Sequence, residues 1–118
     1  MSRARRRAAG RRAAVTGSAP IFAALGDQTR LRLMSRMGIG APMSIVELTR
    51  GAGVTRQAVT KHLHVLAEAG LVRGARRGRE RLWEPAAARL EEARRALDAI
   101  SQQWDHTLGR LKELVERG

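Results

Sequence analysis

Cysteine is absent from this chain of 118 residues, and aromatic side chains make up only 3% of it. Without thiols the chain can form neither disulfides nor thiolate metal sites, and it has no cysteine-based redox switch. With so few aromatic residues the core must consist of Leu, Val, Ile, Met and Ala, which favours helices over a sheet sandwich. The length suits one domain with one modest core.

Long apolar runs are also absent. No stretch approaches the roughly 20 apolar residues that span a bilayer, so we expect no membrane partner. The N-terminal residues lack the apolar core of a secretory signal. An arginine-rich transit peptide is one alternative, but we favour a disordered tail over residues 1–17 that holds nucleic acid by charge or has no role. We expect the protein in the cytoplasm, in association with the nucleoid.

The formal net charge of +12 is spread unevenly along the chain. Residues 1–12 contain six arginines and no acidic residue, and residues 44–83 contain eight basic residues against three acidic ones. Residues 85–118 carry six residues of each sign and are neutral. A basic middle segment beside a neutral tail indicates an element that binds a polyanion, joined to an element that contacts protein.

Capping residues and helical periodicity predict about five helices. The first begins after Ser18, and the second occupies about residues 28–37 behind the N-cap Asp27. A short third helix follows Ser44, which begins a capping box. The fourth runs from Thr55 to Ala69, and a glycine-containing turn joins the third to the fourth. Two short helices joined in this way predict a helix-turn-helix.

Beyond the fourth helix, two short apolar-anchored strands flank an arginine-glycine tip and predict a β-hairpin. The last helix, at about residues 86–116, carries apolar residues in steps of three and four, with Thr107 in the one polar position. Such a seam favours packing against another helix. The predicted fold is therefore mainly α with a two-stranded wing, a winged helix-turn-helix over residues 18–118 that ends in a dimerisation helix.

Helical periodicity divides the fourth helix into two faces. Val59, Leu63 and Leu66 point to one side, and polar side chains fall on the other. The polar set combines an amide that can pair with adenine, hydroxyls for bases or phosphates, and cations for the DNA backbone. An ordinary solvated face is the alternative. The candidate DNA-binding residues of this helix are Thr55, Arg56, Gln57, Thr60, Lys61 and His64.

The tip of the predicted hairpin adds Arg76, Arg77 and Arg79 to the candidate DNA-binding residues. Guanidinium groups on a projecting loop suit contact with phosphates or insertion into a narrow minor groove. A merely soluble turn is the alternative. The position favours a functional wing, because the tip follows the recognition helix where the wing of a winged helix must lie.

Three segments of the chain resemble the ArsR family of winged-helix repressors. They read FAALGDQTR from Phe22, TRQAVTKHL from Thr55 and LAEAGLV from Leu66, and the similarity extends from about Ile21 to Glu116. The resemblance implies a homodimeric repressor of a palindromic operator, whose two recognition helices lie about one DNA turn, ~34 Å, apart. It also implies that the residues at Thr55, Gln57 and Thr60 approach bases.

The same resemblance implies that the first and last helices of each subunit pack together in the dimer, in agreement with the apolar seam of the last helix. The candidate dimer interface consists of Ile21, Phe22, Leu90, Leu97, Ile100, Trp104 and Leu111.

The chain departs from the family's metal sensors at their cysteine ligands. Ser44 and Val46 occupy those positions, and neither binds a soft metal. His62 and His64 point about 200° apart on one helix, so they cannot share an ion. We expect a metal-independent branch without a cofactor, in which His62 is structural and His64 faces DNA. A weak interfacial site is the alternative, from Asp105, His106, Glu113 and Glu116.

The sequence leaves three other classes of function to compare with a repressor. We do not expect an enzyme, because the sequence has no glycine-rich phosphate loop and no nucleophile paired with a base. The main alternative is a sequence-indifferent chromosomal or RNA-binding protein that acts through counterion release. A protein-interaction module whose helix-turn-helix no longer binds DNA is a third possibility, against which the polar face of the fourth helix argues. The sequence identifies no small-molecule effector.

Overall fold

The computed structural model describes residues 3–117, with the side chains of residues 8, 9 and 11–14 left aside. Within this range the helices are α1 (Arg3–Gly17), α2 (Ala19–Leu25), α3 (Gln28–Arg36), α4 (Ile45–Thr49), α5 (Arg56–Glu68) and α6 (Ala87–Arg117). The strands are β1 (Met43–Ser44), β2 (Val72–Arg77) and β3 (Glu80–Pro85). They form one antiparallel sheet in the order β1-β3-β2. The mainly α architecture with a small hairpin agrees with the prediction.

The sheet has one strand more than predicted. Met43 pairs with Trp83 and Ser44 pairs with Leu82, so β1 extends the predicted hairpin on the β3 side. A strand of two residues is too short to show the alternation by which strands are recognised in a sequence. The predicted two-stranded wing is therefore part of a three-stranded sheet.

The N-terminal segment also differs from the prediction of a disordered tail over residues 1–17. The structure has a helix, α1, over Arg3–Gly17. Alanine and arginine are among the strongest helix formers, and they make up most of this segment. The prediction of disorder rested on the high positive charge of the segment and did not take its helix propensity into account. Residues 1, 2 and 118, which the predicted boundaries include, lie outside the described residues.

The described residues fall into two compact units. One contains the residues up to Ser18 together with those from Glu92 on, and therefore α1 and most of α6. The other is Ala19–Glu91, with α2 to α5 and the sheet. The predicted domain over residues 18–118 is thus divided at Glu92. None of the helices described in either unit has the length and apolar character that crossing a bilayer requires.

Helix α5 lies at the centre of the Ala19–Glu91 unit, where it contacts α2, α3, α4 and β2. Its side chains Val59, Leu63 and Leu66 have no exposed surface. Each such side chain contributes roughly 1.5–3 kcal/mol by leaving water. The other large, fully buried side chains of this unit are Ile21, Leu33, Leu48, Leu71 and Trp83. Ile21, predicted at the dimer interface, is a core residue of its own chain, because the inward face of α2 packs there.

The helix starts predicted at Asp27, Ser44 and Thr55 are confirmed, and each of these residues is an N-cap. Asp27, Ser44 and Thr55 directly precede α3, α4 and α5. The side-chain oxygen of each accepts a hydrogen bond from the backbone N–H three residues further along the chain, at 3.0–3.2 Å. These bonds satisfy donors that a helix start leaves without partners. The Ser44 hydroxyl also donates to the carboxylate of Glu47 at 3.3 Å, a side-chain pairing that differs from the bond to the Ser44 backbone N–H expected of a capping box.

The side chain of Arg36, at the end of α3, joins that helix to the end of α4. Its guanidinium group donates to the backbone carbonyls of Glu47, Leu48 and Arg50 at 2.6–2.9 Å. The last carbonyls of a helix have no partner within it, so a planar fork of N–H donors can satisfy several of them at once. Arg36 therefore fixes where α4 ends and the turn to α5 begins.

A second arginine, Arg30, connects three helices. Its Nε donates to the carbonyl of Ala24 at the end of α2, and its Nη1 lies 3.2 Å from Nδ1 of His62 on α5. The same His62 nitrogen lies 3.9 Å from the carboxylate of Asp27 at the start of α3. His62 is half-buried. This network holds α5 against the α2–α3 junction and gives His62 a structural position.

The Asp27 carboxylate makes the stability of this unit depend on pH. Its pKa lies below the ordinary value, first because it accepts the backbone N–H of Arg30, and secondarily because the positive charges of Arg30 and His62 are near. A lowered folded-state pKa contributes stability that is present above the unfolded-state value and is lost as pH falls through the folded-state value. The stabilisation should therefore begin to decline near pH 4, the ordinary aspartate pKa, and be lost as the pH falls further through the lowered value.

The variant Asp27→Asn tests this dependence, because asparagine caps a helix as well as aspartate but carries no charge. We expect its free energy of unfolding to fall below that of the parent protein at pH 7, and the difference to shrink as the pH drops below 4. Urea titrations from pH 2 to 7 measure both curves. A difference that stays constant over this range would show that the charge of Asp27 does not contribute.

Candidate nucleic-acid interface

The predicted polar face of α5 is open to solvent. Arg56, Gln57, Lys61 and His64 are exposed, and Thr60 is half-buried between them and the core. The side chains of Gln57 and Lys61 make no hydrogen bond or ion pair with any other described residue. The backbone that carries them is fixed from behind by the buried side of α5. A rigid helix thus presents an amide and two cations to the outside.

Both threonines of the candidate set are engaged locally. The hydroxyl oxygen of Thr55 accepts the backbone N–H of Ala58 at 3.1 Å, and the hydroxyl of Thr60 donates to the carbonyl of Arg56 at 2.8 Å. Thr55 therefore caps the helix and retains its own hydroxyl proton for an outside acceptor. The hydroxyl proton of Thr60 is already engaged in the bond to Arg56, so Thr60 can offer a ligand only its acceptor lone pairs and its methyl group.

The hairpin of β2 and β3 carries the three predicted wing arginines, and all of them are exposed. The tight turn between the strands contains Gly78, whose φ of +66° is strained for any residue with a Cβ. Nearer the base, Arg73 stands opposite Glu84 and donates to its carboxylate at 2.9 Å. The wing arginines thus project from a turn of defined shape.

Trp83, on β3, connects the wing to the recognition helix. Its side chain is only 1% exposed. The ring of His64 lies 6.2 Å from the Trp83 ring, centroid to centroid and tilted by 54°. The guanidinium carbon of Arg81 lies 4.6 Å from the indole centroid, within the range of a cation–π interaction. Two basic side chains, one from each element, therefore contact the same aromatic ring.

A glycine in the neighbouring strand makes room for this arrangement. Gly74 stands opposite Trp83, and a Cβ at that position would come within 2.9 Å of Nε of Arg81. Arg81 can therefore cross β2 on its way to the indole ring. Sequence reasoning missed Arg81 as part of the basic surface. The available signal was an arginine two residues before a tryptophan, hence on the same face of a strand.

The candidate dimer residues differ in their surroundings. On α6 the side chains of Leu97, Trp104 and Leu111 are 51%, 60% and 56% exposed. Phe22, Leu90 and Ile100 are half-buried, and Ile21 is buried. Further apolar residues of α6 that are more than half exposed are Leu108, Leu114 and Val115. The seam of α6 is thus apolar and largely uncovered within one chain, and it is broader than the predicted set.

The alternative of a weak interfacial metal site on α6 gains no support from the geometry of one chain. Over residues 3–117 no three side chains of His, Cys, Asp or Glu come together in a group that could hold an ion. Asp105, His106, Glu113 and Glu116 are all exposed on α6.

Comparison with known proteins agrees with this arrangement. A family model described as a helix-turn-helix domain matches residues 25–75, from the end of α2 into the wing. The chain is 40% identical over 68 residues to YuzN of Bacillus subtilis, an uncharacterised HTH-type transcriptional regulator, covering 52% of this chain and 74% of that one. It is 33% identical over 93 residues to the HTH-type transcriptional regulator Rv2034 of Mycobacterium tuberculosis, covering 79% and 83%.

A solved structure extends the likeness to nearly the whole chain. An ArsR-like transcriptional regulator from Rhodococcus sp. RHA1 superposes with a TM-score of 0.68 at 35% identity, covering 89% of this chain and 95% of that one. The winged helix-turn-helix fold predicted from the sequence is thereby confirmed. The protein is a DNA-binding transcriptional regulator of the ArsR family.

Proposed function

We propose that this regulator is a sequence-specific repressor that binds a palindromic operator in double-stranded DNA as a homodimer. The observation that carries the proposal is the division of α5 into a fully buried face and a polar face with free side chains. A face of this kind, rigid and unengaged, is what reading of base edges in the major groove requires. Its place of action would be the cytoplasm, in association with the nucleoid, and it would not be an enzyme.

Different roles follow for the exposed groups. The amide of Gln57 can bond with adenine through N6 and N7, which distinguishes bases. Arg56 and Lys61 suit the phosphates on either side of the groove. Arg76, Arg77 and Arg79 suit a narrow minor groove or the adjacent backbone. His64 and Arg81, held at the Trp83 ring, keep the helix and the wing at a fixed spacing for these contacts.

Substitution of Gln57 separates reading of bases from attraction to the backbone. An operator is first obtained by mapping the DNA that the protein binds across a genome. Gln57→Ala should lose about 1–3 kcal/mol on that operator and little on random duplex. The matched variant Lys61→Ala should weaken both and flatten the dependence of affinity on salt. Fluorescence anisotropy titrations of the two duplexes provide all the affinities.

Equal losses on operator and random duplex for Gln57→Ala would contradict base reading. They would instead favour a sequence-indifferent nucleic-acid-binding protein. The parent protein itself discriminates between the two functions, because a repressor should prefer its operator over random duplex by at least ~10³-fold.

The homodimer rests on the exposed seam of α6. From Ser101 to the end of the helix every described side chain is exposed, although the apolar residues continue in steps of three and four. A long apolar stripe left in water favours association with a second helix. A winged helix-turn-helix domain of Mycobacterium bovis with the same fold, 18% identical at a TM-score of 0.53, is homodimeric. Two recognition helices would then meet two half-sites, as a palindrome requires.

Trp104 is the best probe of this seam, because its large side chain is 60% exposed in the middle of the stripe. Aromatic residues at the centre of an interface often contribute 2 kcal/mol or more. Trp104→Ala should therefore weaken the dimer by at least ~30-fold and reduce operator affinity in parallel. Gln102→Ala, on the opposite side of the helix, is the control and should change neither. Analytical ultracentrifugation of the parent and both variants measures the dimer.

If the parent protein sediments at micromolar concentration as a 13 kDa monomer and still binds a palindromic operator tightly, the dimer is refuted.

We further propose that no transition metal regulates binding. The supporting observations are the lack of cysteine and the separation of the histidines, since His62 is engaged with Arg30 and His64 with Trp83. Operator affinity should be the same with zinc, with cadmium and with a chelator. A reproducible change in affinity on titration with one of these ions at micromolar concentration would contradict the proposal.

A further inference from the structure

The two faces of the β2–β3 hairpin carry different patterns of charge. Residues directly opposite each other in antiparallel strands project from the same face, with Cβ atoms about 4.5–5.5 Å apart. On one face both charged pairs combine opposite signs, and they are Arg73 with Glu84 and Arg77 with Glu80. On the other face Arg76 stands directly opposite Arg81. The hairpin therefore places two like charges together on one face only.

The face with the two arginines is the one that meets the recognition helix. Trp83 lies two residues from Arg81 along β3, so both side chains project from the same face. The Trp83 ring contacts the ring of His64 on α5, with 6.2 Å between the centroids. We call this face, made of Arg76, Arg81 and Trp83, the inner face of the wing. The hairpin and α5 both belong to the Ala19–Glu91 unit.

Neither arginine of the inner face has an acidic partner. Arg76 and Arg81 are exposed, and neither makes an ion pair or a hydrogen bond with any other described residue. Like charges directly opposite each other destabilise a pair of strands. The only acidic residue of α5, Glu68, lies one helical turn beyond His64 and pairs with neither arginine. An anion bound between the two guanidinium groups would relieve their repulsion.

The Trp83 ring holds the guanidinium group of Arg81 in place. The guanidinium carbon lies 4.6 Å from the indole centroid, and the missing Cβ of Gly74 leaves room for the side chain. Stacking uses the flat face of the guanidinium group and leaves the N–H donors at its edge available to an outside oxygen. Because Arg81 is ordered before it binds, it loses less side-chain entropy on binding.

The inner face of the wing lies where one strand of a DNA backbone would pass. With α5 in the major groove and the wing tip at the adjacent minor groove, the backbone that separates the grooves crosses the space between them. His64 borders that space on one side, and Arg76 and Arg81 border it on the other. Phosphates of one strand follow each other at about 3.4 Å along the axis, and each accepts paired bonds from a guanidinium group. The two arginines can therefore bond to one phosphate or to two neighbours on one strand.

We propose that Arg76 and Arg81 form a phosphate clamp, which binds the backbone strand between the major groove at α5 and the minor groove at the wing tip. The clamp rests on the proposed docking of α5 and the wing on duplex DNA and names two residues that fix it. Arg81 is the ordered member, and Arg76 completes the site when a phosphate neutralises their repulsion. Phosphate contacts set affinity and register and carry no base preference of their own.

The test measures the affinity of single variants for a random-sequence duplex across a series of sodium chloride concentrations. Arg81→Gln and Arg76→Gln each remove one charge from the clamp, whereas Arg81→Lys keeps the charge. The control is Lys112→Gln in α6, which removes an equal charge outside the Ala19–Glu91 unit. Circular dichroism and thermal melts verify that every variant is folded.

We expect each glutamine variant of the clamp to lower the slope of log affinity against log salt by about 0.9 for each bound subunit, because one phosphate contact is lost. The affinity near physiological salt should fall about 10-fold for each bound subunit, the loss expected for one charged hydrogen-bonded contact. Arg81→Lys should keep the slope of the parent protein. Lys112→Gln should keep both the slope and the affinity.

A second measurement locates the phosphate. Single phosphates of the mapped operator are replaced in turn by uncharged methylphosphonates. In the parent protein, replacement of a phosphate between the two grooves should weaken binding. With Arg81→Gln the same replacement should cost nothing further, while replacements at other contacted phosphates keep their effect, because only groups in contact are coupled in this way.

Several results would overturn the clamp. One is a parental slope for both glutamine variants, and another is the lack of any methylphosphonate position coupled to Arg81. An equal decrease of the slope in Lys112→Gln would show a general effect of net charge, and an equal decrease in Arg81→Lys would show a structural effect on the wing.

The outcome is distinguishable from that of the Gln57 test. A random-sequence duplex contains no operator, so a failure of base reading by Gln57 leaves the expected slopes unchanged. A failure of the clamp likewise leaves the operator preference measured with Gln57→Ala intact, because phosphate contacts are common to both duplexes.

Discussion

The DNA-facing surface of this protein depends on the burial of one side of α5. Because Val59, Leu63 and Leu66 have no exposed surface, the helix can neither rotate nor slide without opening the core. The orientation of Gln57 and Lys61 follows from that constraint. A substitution in the buried face would therefore alter recognition as well as stability, although none of these three side chains is near solvent.

In this chain, which has few aromatic residues, arginine side chains make several of the contacts between helices and strands. Arg36 donates hydrogen bonds to three backbone carbonyls at the end of α4. Arg30 links α2 to His62, and Arg81 stacks on Trp83. The planar guanidinium group suits each of these tasks, since it donates in several directions and stacks on a ring. The high basic charge of the protein thus serves two purposes, structural joints within the Ala19–Glu91 unit and free cations at its surface.

Local signals in the sequence predicted the parts of the fold that local chemistry determines. The three caps, the two faces of α5 and the hairpin with its arginine tip all depend on residues within a few positions of one another. Arg36 was not predicted because its partners, the carbonyls of Glu47, Leu48 and Arg50, are set by tertiary packing. Arg81 was missed although Trp83, two residues further on, lies on the same face of its strand. Helix α1 was missed because net charge was weighed above helix propensity. Ile21 was placed at the dimer interface because every residue of α2 is apolar, so its sequence does not show which face packs inward.

Hydroxyl-radical footprinting of the parent protein on a mapped operator tests most directly the claim that two identical recognition helices read the two halves of a palindrome. The account predicts two symmetric protected tracts on one face of the duplex, centred about 10 base pairs apart, one turn of the double helix. A single protected tract, or protection that spreads evenly along the duplex without a preferred position, would contradict it.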